Sequence, residues 1–376
     1  MDAFRTPAST RSSGSLHVRR PLAPILFALA LALAACTAGP GATVAPASTI
    51  TAAPTASPTL APSPSPAPTP MPTPVVPSTP QPTPSSSATA APVAVSYPLS
   101  IKDDESREVV LKAEPKKIVS LTPATTELVF ALGAGDRLVG GTDFDDFPPE
   151  AVPLADVATF ASVDVEQILS LGADLVIAGG NGFNPPAPLE QLRRLGVPVL
   201  VLYAATMDAV LADIELVGLA INRVDEAGAL TAQMRLGIED VKAAVIDEPR
   251  PRTFYELDAT NEIFGPADKS FIAEMVDLAG GEPITTGSET VFSIPLERLV
   301  AADPEVIVLG DAAYGTTAEA VAARPGWKTM TAVETNAIRP VNDTLVTRPG
   351  PRLIEGLRAL ALAIHPDVVL PPPPSP

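Results

Sequence analysis

Two stretches of the chain, Val165–Ala178 and Leu296–Leu309, read as copies of one unit. The first runs Val165-Glu166-Gln167-Ile168-Leu169-Ser170-Leu171-Gly172-Ala173-Asp174-Leu175-Val176-Ile177-Ala178 and the second Leu296-Glu297-Arg298-Leu299-Val300-Ala301-Ala302-Asp303-Pro304-Glu305-Val306-Ile307-Val308-Leu309. With Glu166 set over Glu297, the apolar positions coincide, and an acid (Asp174, Glu305) precedes each β-branched run. Each copy therefore predicts a short amphipathic helix, a turn and a strand buried on both faces. A unit repeated at this distance predicts two similarly built lobes with one carboxylate at the same place on each.

The fold is confined to the later part of the 376 residues. Residues 1–36 read as an export signal: Arg19 and Arg20 flank an apolar core from Pro21 to Ala35, too short for a comfortable permanent membrane span. The core ends in Leu33-Ala34-Ala35-Cys36, which resembles the lipobox of bacterial lipoproteins and predicts lipidation at Cys36, the only cysteine. With one cysteine there is no intramolecular disulfide and no thiolate cluster. Residues 37–98 carry no Asp, Glu, Lys or Arg and are dominated by Pro, Ser, Thr and Ala. Proline removes backbone donors and there is little to bury, so this segment is expected to be an extended tether. At roughly 3.1 Å per residue, about 60 residues reach at most ~190 Å. Beyond the signal, 21 basic residues face 42 acidic ones. Such a surface repels phosphate backbones, which excludes nucleic acid as a partner and suits a basic docking partner.

From Lys117 onward strand and helix signals alternate. Ile118–Leu121 predicts a strand, Thr122 to Leu132 a helix opened by hydroxyl caps and stopped at Gly133, and Leu138–Gly141 the next strand. The first repeat copy follows, then a strand over Val197–Leu202. Met207–Asn222 and Val224–Ile246 predict consecutive helices, the second long enough to bridge two lobes. A new series begins with a Thr253–Leu257 strand, a Lys269–Leu278 helix stopped at Gly280-Gly281, the second repeat copy and a closing Leu353–Ile364 helix. Glu127 precedes Gly133, and Glu274 precedes Gly280, by the same interval. The expected fold class is α/β: two Rossmann-like lobes with mainly parallel sheets joined by a long bridging helix. The expected divisions are 101–222 for the first lobe, 223–248 for the bridge, 249–368 for the second lobe and 369–376 for a Pro-rich tail. Ligands of such sheets sit at the carboxyl ends of the strands, so the default site is a cleft between the lobes.

Catalytic motifs are lacking. Gly133-Ala134-Gly135 ends a helix and lacks the third glycine of a nucleotide fingerprint, and no Walker loop or nucleophile elbow occurs. His365 is the one histidine past the signal, leaving no material for a Ser/His triad or a zinc site. No resident metal or cofactor and no enzymatic activity are expected. The predicted loops instead hold aromatics: Phe144, Phe147, Phe160, Phe183, Phe264 and Phe292. Aromatic walls with a few polar anchors suit a large, flat, partly apolar ligand.

These features resemble the periplasmic binding proteins for iron chelates and cobalamin that serve ABC importers. The resemblance is carried by Lys117-Ile118-Val119-Ser120-Leu121-Thr122-Pro123-Ala124-Thr125-Thr126-Glu127, the Thr142–Pro149 run with Glu150-Ala151, Leu171–Ile177, Ala279-Gly280-Gly281 and Arg348-Pro349-Gly350-Pro351-Arg352, and it spans roughly residues 115–368. It implies two lobes on a rigid helical backbone, and a monomer that binds a small-molecule metal chelate without transforming it. Within the family the chain is most similar to the cobalamin binders. That likeness implies a corrin pocket lined by Pro123, Ala124, Phe144, Phe160, Phe264, Phe292, Asp343 and Arg348, with Phe183 compensating for Gly179, where those binders carry an aromatic. Phe144 and Phe160 stand in place of a tyrosine and a tryptophan, which leaves an iron siderophore or heme as alternative ligands. The resemblance also implies that Glu166 and Glu297, one per lobe, pair with basic residues of an ABC permease. A solvated acid beside a helix dipole explains one such glutamate, though not its recurrence on both lobes. The expected protein is a lipid-anchored extracytoplasmic receptor; the rivals are a chelate-processing enzyme and a stalked sensory module.

Overall fold

The computed structural model describes residues 94–373 except Phe160, Asn181 and Gly182. The expected signal with Cys36, nearly all of the expected tether, Phe160 and the last three residues lie outside the described residues.

The described chain opens with an antiparallel hairpin, β1 (Leu99–Lys102) and β2 (Glu108–Leu111). The first lobe then runs β3 (Ile118–Ser120), α1 (Pro123–Ala131), β4 (Leu138–Thr142), β5 (Asp156–Ala158), α2 (Val165–Leu171), β6 (Leu175–Gly179), α3 (Pro186–Arg194) and β7 (Val199–Leu202). Its five strands are parallel in the order β5-β4-β3-β6-β7. Two helices follow, α4 (Met207–Ala220) and the 22-residue α5 (Val224–Val245), about 33 Å long at 1.5 Å per residue. The second lobe contains β8 (Arg252–Glu256), α6 (Phe271–Leu278), β9 (Glu282–Pro283), α7 (Leu296–Ala302), β10 (Val306–Leu309), α8 (Ala318–Ala322), α9 (Thr331–Glu334), β11 (Ile338–Pro340), α10 (Asp343–Val346) and α11 (Leu353–Ile364). Its four strands are parallel in the order β11-β10-β8-β9. This is the expected α/β class with two parallel-sheet lobes.

Local chemistry accounts for the boundaries. Thr122 caps α1 by accepting from the Thr125 N–H, and Pro123 fills the first helical turn, where no donor is needed. Helices α1 and α6 both stop at left-handed glycines, Gly133 (φ 67°) and Gly280 (φ 87°). The expected helix through Asn222 stops at Ala220, because Asn222 turns left-handed at φ 57°. The two repeat copies fold alike, as helix, turn and buried strand. Their matched acids do one job: the Asp174 carboxylate accepts from the Lys116 and Lys117 N–H groups, and Glu305 accepts from the Arg252 N–H at 3.0 Å. Each acid thus fastens the lead-in to the central strand of its own lobe, β3 or β8.

The first lobe starts earlier than expected. Val95 N–H donates to Asn222 Oδ1, and the Tyr97 hydroxyl donates to Ala220 O, so these residues pack on the α4–α5 turn. They end a charge-free, proline-rich run, which masked their structural role. One apolar core continues from the first lobe (Leu128, Ile177, Leu200) through α4 and α5 (Ile214, Met234, Ile238) to α11 (Leu357, Leu360). Both lobes therefore share packing through the bridge.

Polar ties complete the junction. Glu127 on α1 is 3% exposed and accepts from Arg352 Nε (2.8 Å) and Nη2 (2.6 Å) and from Arg348 Nη1 (3.0 Å), both arginines belonging to the second lobe. Reciprocally, Glu274 on α6 accepts from the Met207 N–H that opens α4. Gly350 lies against α1, where an added Cβ would stand 3.3 Å from Ala124 O. Removing one partner of a buried ion pair strands the other charges. Glu127→Ala should thus lower the unfolding free energy by about 3–5 kcal/mol in urea denaturation; a change near zero would show that the cluster does not tie the lobes.

A second, half-buried acid sets a pH dependence. Asp213 on α4 lies beside Asp104 in the β1–β2 turn; burial first, then repulsion from Asp104, pushes its carboxyl up to about 8. Because the folded state holds this proton more tightly than the unfolded chain, the stabilising contribution is complete below the ordinary aspartate value of 3.8 and is lost as pH rises through about 8. Asp213→Asn should flatten the decline in melting temperature between those limits, and an unaltered pH profile would refute the assignment.

Candidate functional site

In each lobe the strand order reverses at one point, and the carboxyl ends there form a crevice. In the first lobe the reversal falls between β3 and β6. Asn184, buried behind β6, accepts from the Gly179 N–H (2.7 Å) and donates Nδ2–H to Leu121 O (3.1 Å), stitching the two departing loops together. A side chain at Gly179 would crowd its neighbours: a Cβ there would stand 2.9 Å from Thr122 Cγ2 and 3.0 Å from Phe183 Cδ1. The Phe183 ring occupies the space that a side chain at position 179 would fill, and it remains 47% exposed.

The Thr142–Pro149 run after β4 separates into four tasks. Asp145 is buried and accepts from the Thr142 N–H and hydroxyl and from the Thr126 hydroxyl, which folds the turn. Burial raises its carboxyl despite those hydrogen bonds. Asp146 reaches the second lobe and pairs with Arg348 at 2.5 Å. The centre of the Phe147 ring lies 4.0 Å from the Arg352 guanidinium carbon, a cation–π contact. Phe144 is turned out further than Phe147, 53% against 40% exposed.

The second lobe supplies the facing wall, with its reversal between β8 and β10. After β8, Phe264 bridges to both Asp258 and Ser293, and the Gly265 N–H donates to Phe292 O, so Phe264 is half-buried and Phe292 exposed on adjoining loops. Glu256 ends β8 fully buried in a bidentate pair with Arg324 (2.5 and 2.9 Å), whose guanidinium stacks over Trp327 at 4.7 Å. Asp343 accepts from the Tyr255 hydroxyl at 2.9 Å and from the Thr347 hydroxyl at 3.1 Å. Burial raises the carboxyls of Glu256 and Asp343 and, with the Asp343 charge, the Tyr255 phenol. Burial opposes the charge on Arg348, but Asp146 and Glu127 outweigh it and hold the guanidinium more firmly ionised.

The expected residues thus fall into groups. Pro123 and Ala124 begin α1 at the lobe junction, where Ala124 meets Gly350. Phe144 and Phe183 lie on the loops that leave the carboxyl ends of β4 and β6, and Phe264 and Phe292 on adjoining loops after β8. Asp343 and Arg348 follow β11, yet their polar groups are engaged internally, Arg348 as an inter-lobe tie. Phe160 is outside the described residues. Glu166 and Glu297 are exposed in the first turns of α2 and α7; each helix runs back to the amino end of the next strand, so each glutamate lies on the cleft side of its lobe. His365 lies at the opposite, amino edge of the second sheet, buried with its Nε2 3.2 Å from Gly280 O. Sequence reasoning missed Asp146 and Arg352 and assigned no role to Glu127; the matched spacing of Glu127 and Glu274 was the available signal.

Comparison with known proteins agrees with this architecture. The periplasmic binding protein family model matches residues 118–343. An uncharacterised ABC transporter substrate-binding lipoprotein of Bacillus subtilis (strain 168) is 34% identical over 276 residues, covering 72% of this chain and 87% of that protein. The crystal structure of the periplasmic vitamin B12-binding protein of Vibrio cholerae superposes with a TM-score of 0.59 at 27% identity, covering 66% of this chain and 96% of that one. The apo periplasmic heme-binding protein of Roseiflexus sp. RS-1 superposes with the same score at 26% identity, covering 67% and 98%. The chain belongs to the periplasmic binding protein family and, within it, to the two-lobed substrate-binding proteins of ABC importers.

Proposed function

We propose that the protein captures a corrinoid in the inter-lobe cleft and presents it to an ABC permease from the extracytoplasmic face of the membrane, anchored by lipid on Cys36. The observation that carries the ligand choice is the fate of the junction's positive charge. Arg348 and Arg352 are neutralised by Glu127 and Asp146, while Asp343 and the exposed rings of Phe144, Phe183 and Phe292 border the same edges. A cleft whose arginines are already paired offers poor compensation to propionate or catecholate charges, since an ion left unpaired on desolvation is costly. It suits a flat macrocycle fringed with neutral amides, whose faces stack on aromatic rings. The likeness to a vitamin B12-binding protein supports the same choice.

The expected result is one-to-one binding of cyanocobalamin by the purified protein, seen as a change in the corrin absorbance, with hemin and a ferric hydroxamate binding more weakly. Tight hemin binding beside a flat cobalamin titration would reject the corrinoid and leave a chelate receptor for heme.

Delivery is a separate matter of surface charge. Exposed charges at corresponding places on two lobes chiefly set orientation and association rate with a basic partner. Glu166→Ala combined with Glu297→Ala should leave cobalamin affinity unchanged and lower uptake by cells carrying the cognate permease; undiminished uptake would exclude the docking role.

A further inference from the structure

We infer that Tyr314 is a ligand-contacting residue of the second lobe, the counterpart of Phe183, with its ring against one face of the bound macrocycle. The inference rests on the proposal that the inter-lobe cleft holds a flat chelate. It starts from the repeat. Setting Glu166 over Glu297 carries Gly179 onto Gly310 and Phe183 onto Tyr314. The register holds in three dimensions, because β6 and β10 each follow a repeat helix and each lie beside the central strand of their sheet, at the point where strand order reverses. The loops leaving these two strands are therefore the corresponding crevice loops of the two lobes, and each carries one aromatic residue at the same step.

The crowding at the two glycines comes from different elements. At Gly179 it is Phe183 of the same loop, whose Cδ1 would lie 3.0 Å from a Cβ. At Gly310 it is Tyr255 of β8, whose ring and hydroxyl would lie 2.6 Å away, so the space filled by Phe183 in the first lobe is already filled by Tyr255 in the second. Beyond Gly310 the chain makes a 3-10 turn, Asp311–Tyr314, packed beside α10. Asp311 is 6% exposed and accepts from the Thr316 hydroxyl at 2.7 Å, so the two ends of the turn are clasped. Gly315 closes it at φ 102°, a conformation that side chains resist, and donates its N–H to Ala312 O. The backbone is thus held firmly, yet the ring it presents is 83% exposed, whereas Tyr255 is fully buried. A rigid aromatic with two side-chain torsions on a fixed turn gives large contact area at low entropic cost. Phe183 on one wall and Tyr314 on the other provide a ring for each face of a planar ligand.

The test is titration of wild type, Tyr314→Ala and Tyr314→Phe with cyanocobalamin and, separately, hemin, together with melting temperatures. For whichever chelate wild type binds, the alanine variant should bind about tenfold more weakly, ~1.4 kcal/mol, and the phenylalanine variant within about twofold of wild type, since ring area carries the contact. Melting temperatures should be unchanged, which separates contact from structural damage. Wild-type affinity in the alanine variant overturns the inference alone. Equal losses in both variants overturn the ring-face contact. Failure of wild type to bind either chelate sinks the proposed ligand class and this inference together.

Discussion

The junction between the lobes depends on one buried carboxylate. Glu127 projects from the first helix of the first lobe and is met by two arginines from the segment joining α10 to α11. A charge left isolated in such surroundings is costly, so each of the three groups depends on the others for its compensation. Their pairing brings Ala124 against Gly350 and so sets the carboxyl edges of both sheets beside each other. It also recruits the Thr142–Pro149 loop, through Asp146 on Arg348 and Phe147 on Arg352. The geometry of the candidate cleft follows from how this cluster satisfies its charges.

The acidic residues of the two lobes serve distinct ends that a charge count hides. Asp174 and Glu305 hold the lead-ins to the central strands; Glu127 and Glu274 each cross to another part of the molecule; Glu166 and Glu297 are exposed to solvent. A net acidic chain is therefore not simply a soluble surface. One matched pair stabilises each lobe internally, one couples the lobes to the rest of the fold, and the third pair faces solvent at corresponding places on the two lobes.

Much of the architecture was legible because it rests on local patterns. Val306-Ile307-Val308-Leu309 has no polar face, so only a strand covered on both sides accommodates it. Thr122-Pro123, Gly133 and Gly280 punctuate helices through hydroxyl capping, a fixed φ and tolerance of positive φ. The β1–β2 hairpin and its lead-in were not legible: Tyr97 and Val95 end a proline-rich run and gain meaning only from Asn222 and Ala220, far along the chain. Phe144 and Phe147 look equivalent in the sequence. Only the fold puts an arginine under Phe147 and leaves Phe144 more exposed.

By itself the sequence determined two parallel-sheet lobes, the long helix between them, the matched glutamates and the shortage of catalytic side chains. These follow from hydrophobic period, turn chemistry and residue inventory, which act over a few neighbouring positions. Tertiary structure decided which charges are already spent. Arg348, read as a ligand contact, is paired with Glu127 and Asp146, and Tyr314, which the sequence leaves unplaced, stands on a clasped turn at the crevice corresponding to that of Phe183. Electrostatic pairing and exposure depend on groups brought together across the chain, and no local pattern encodes them.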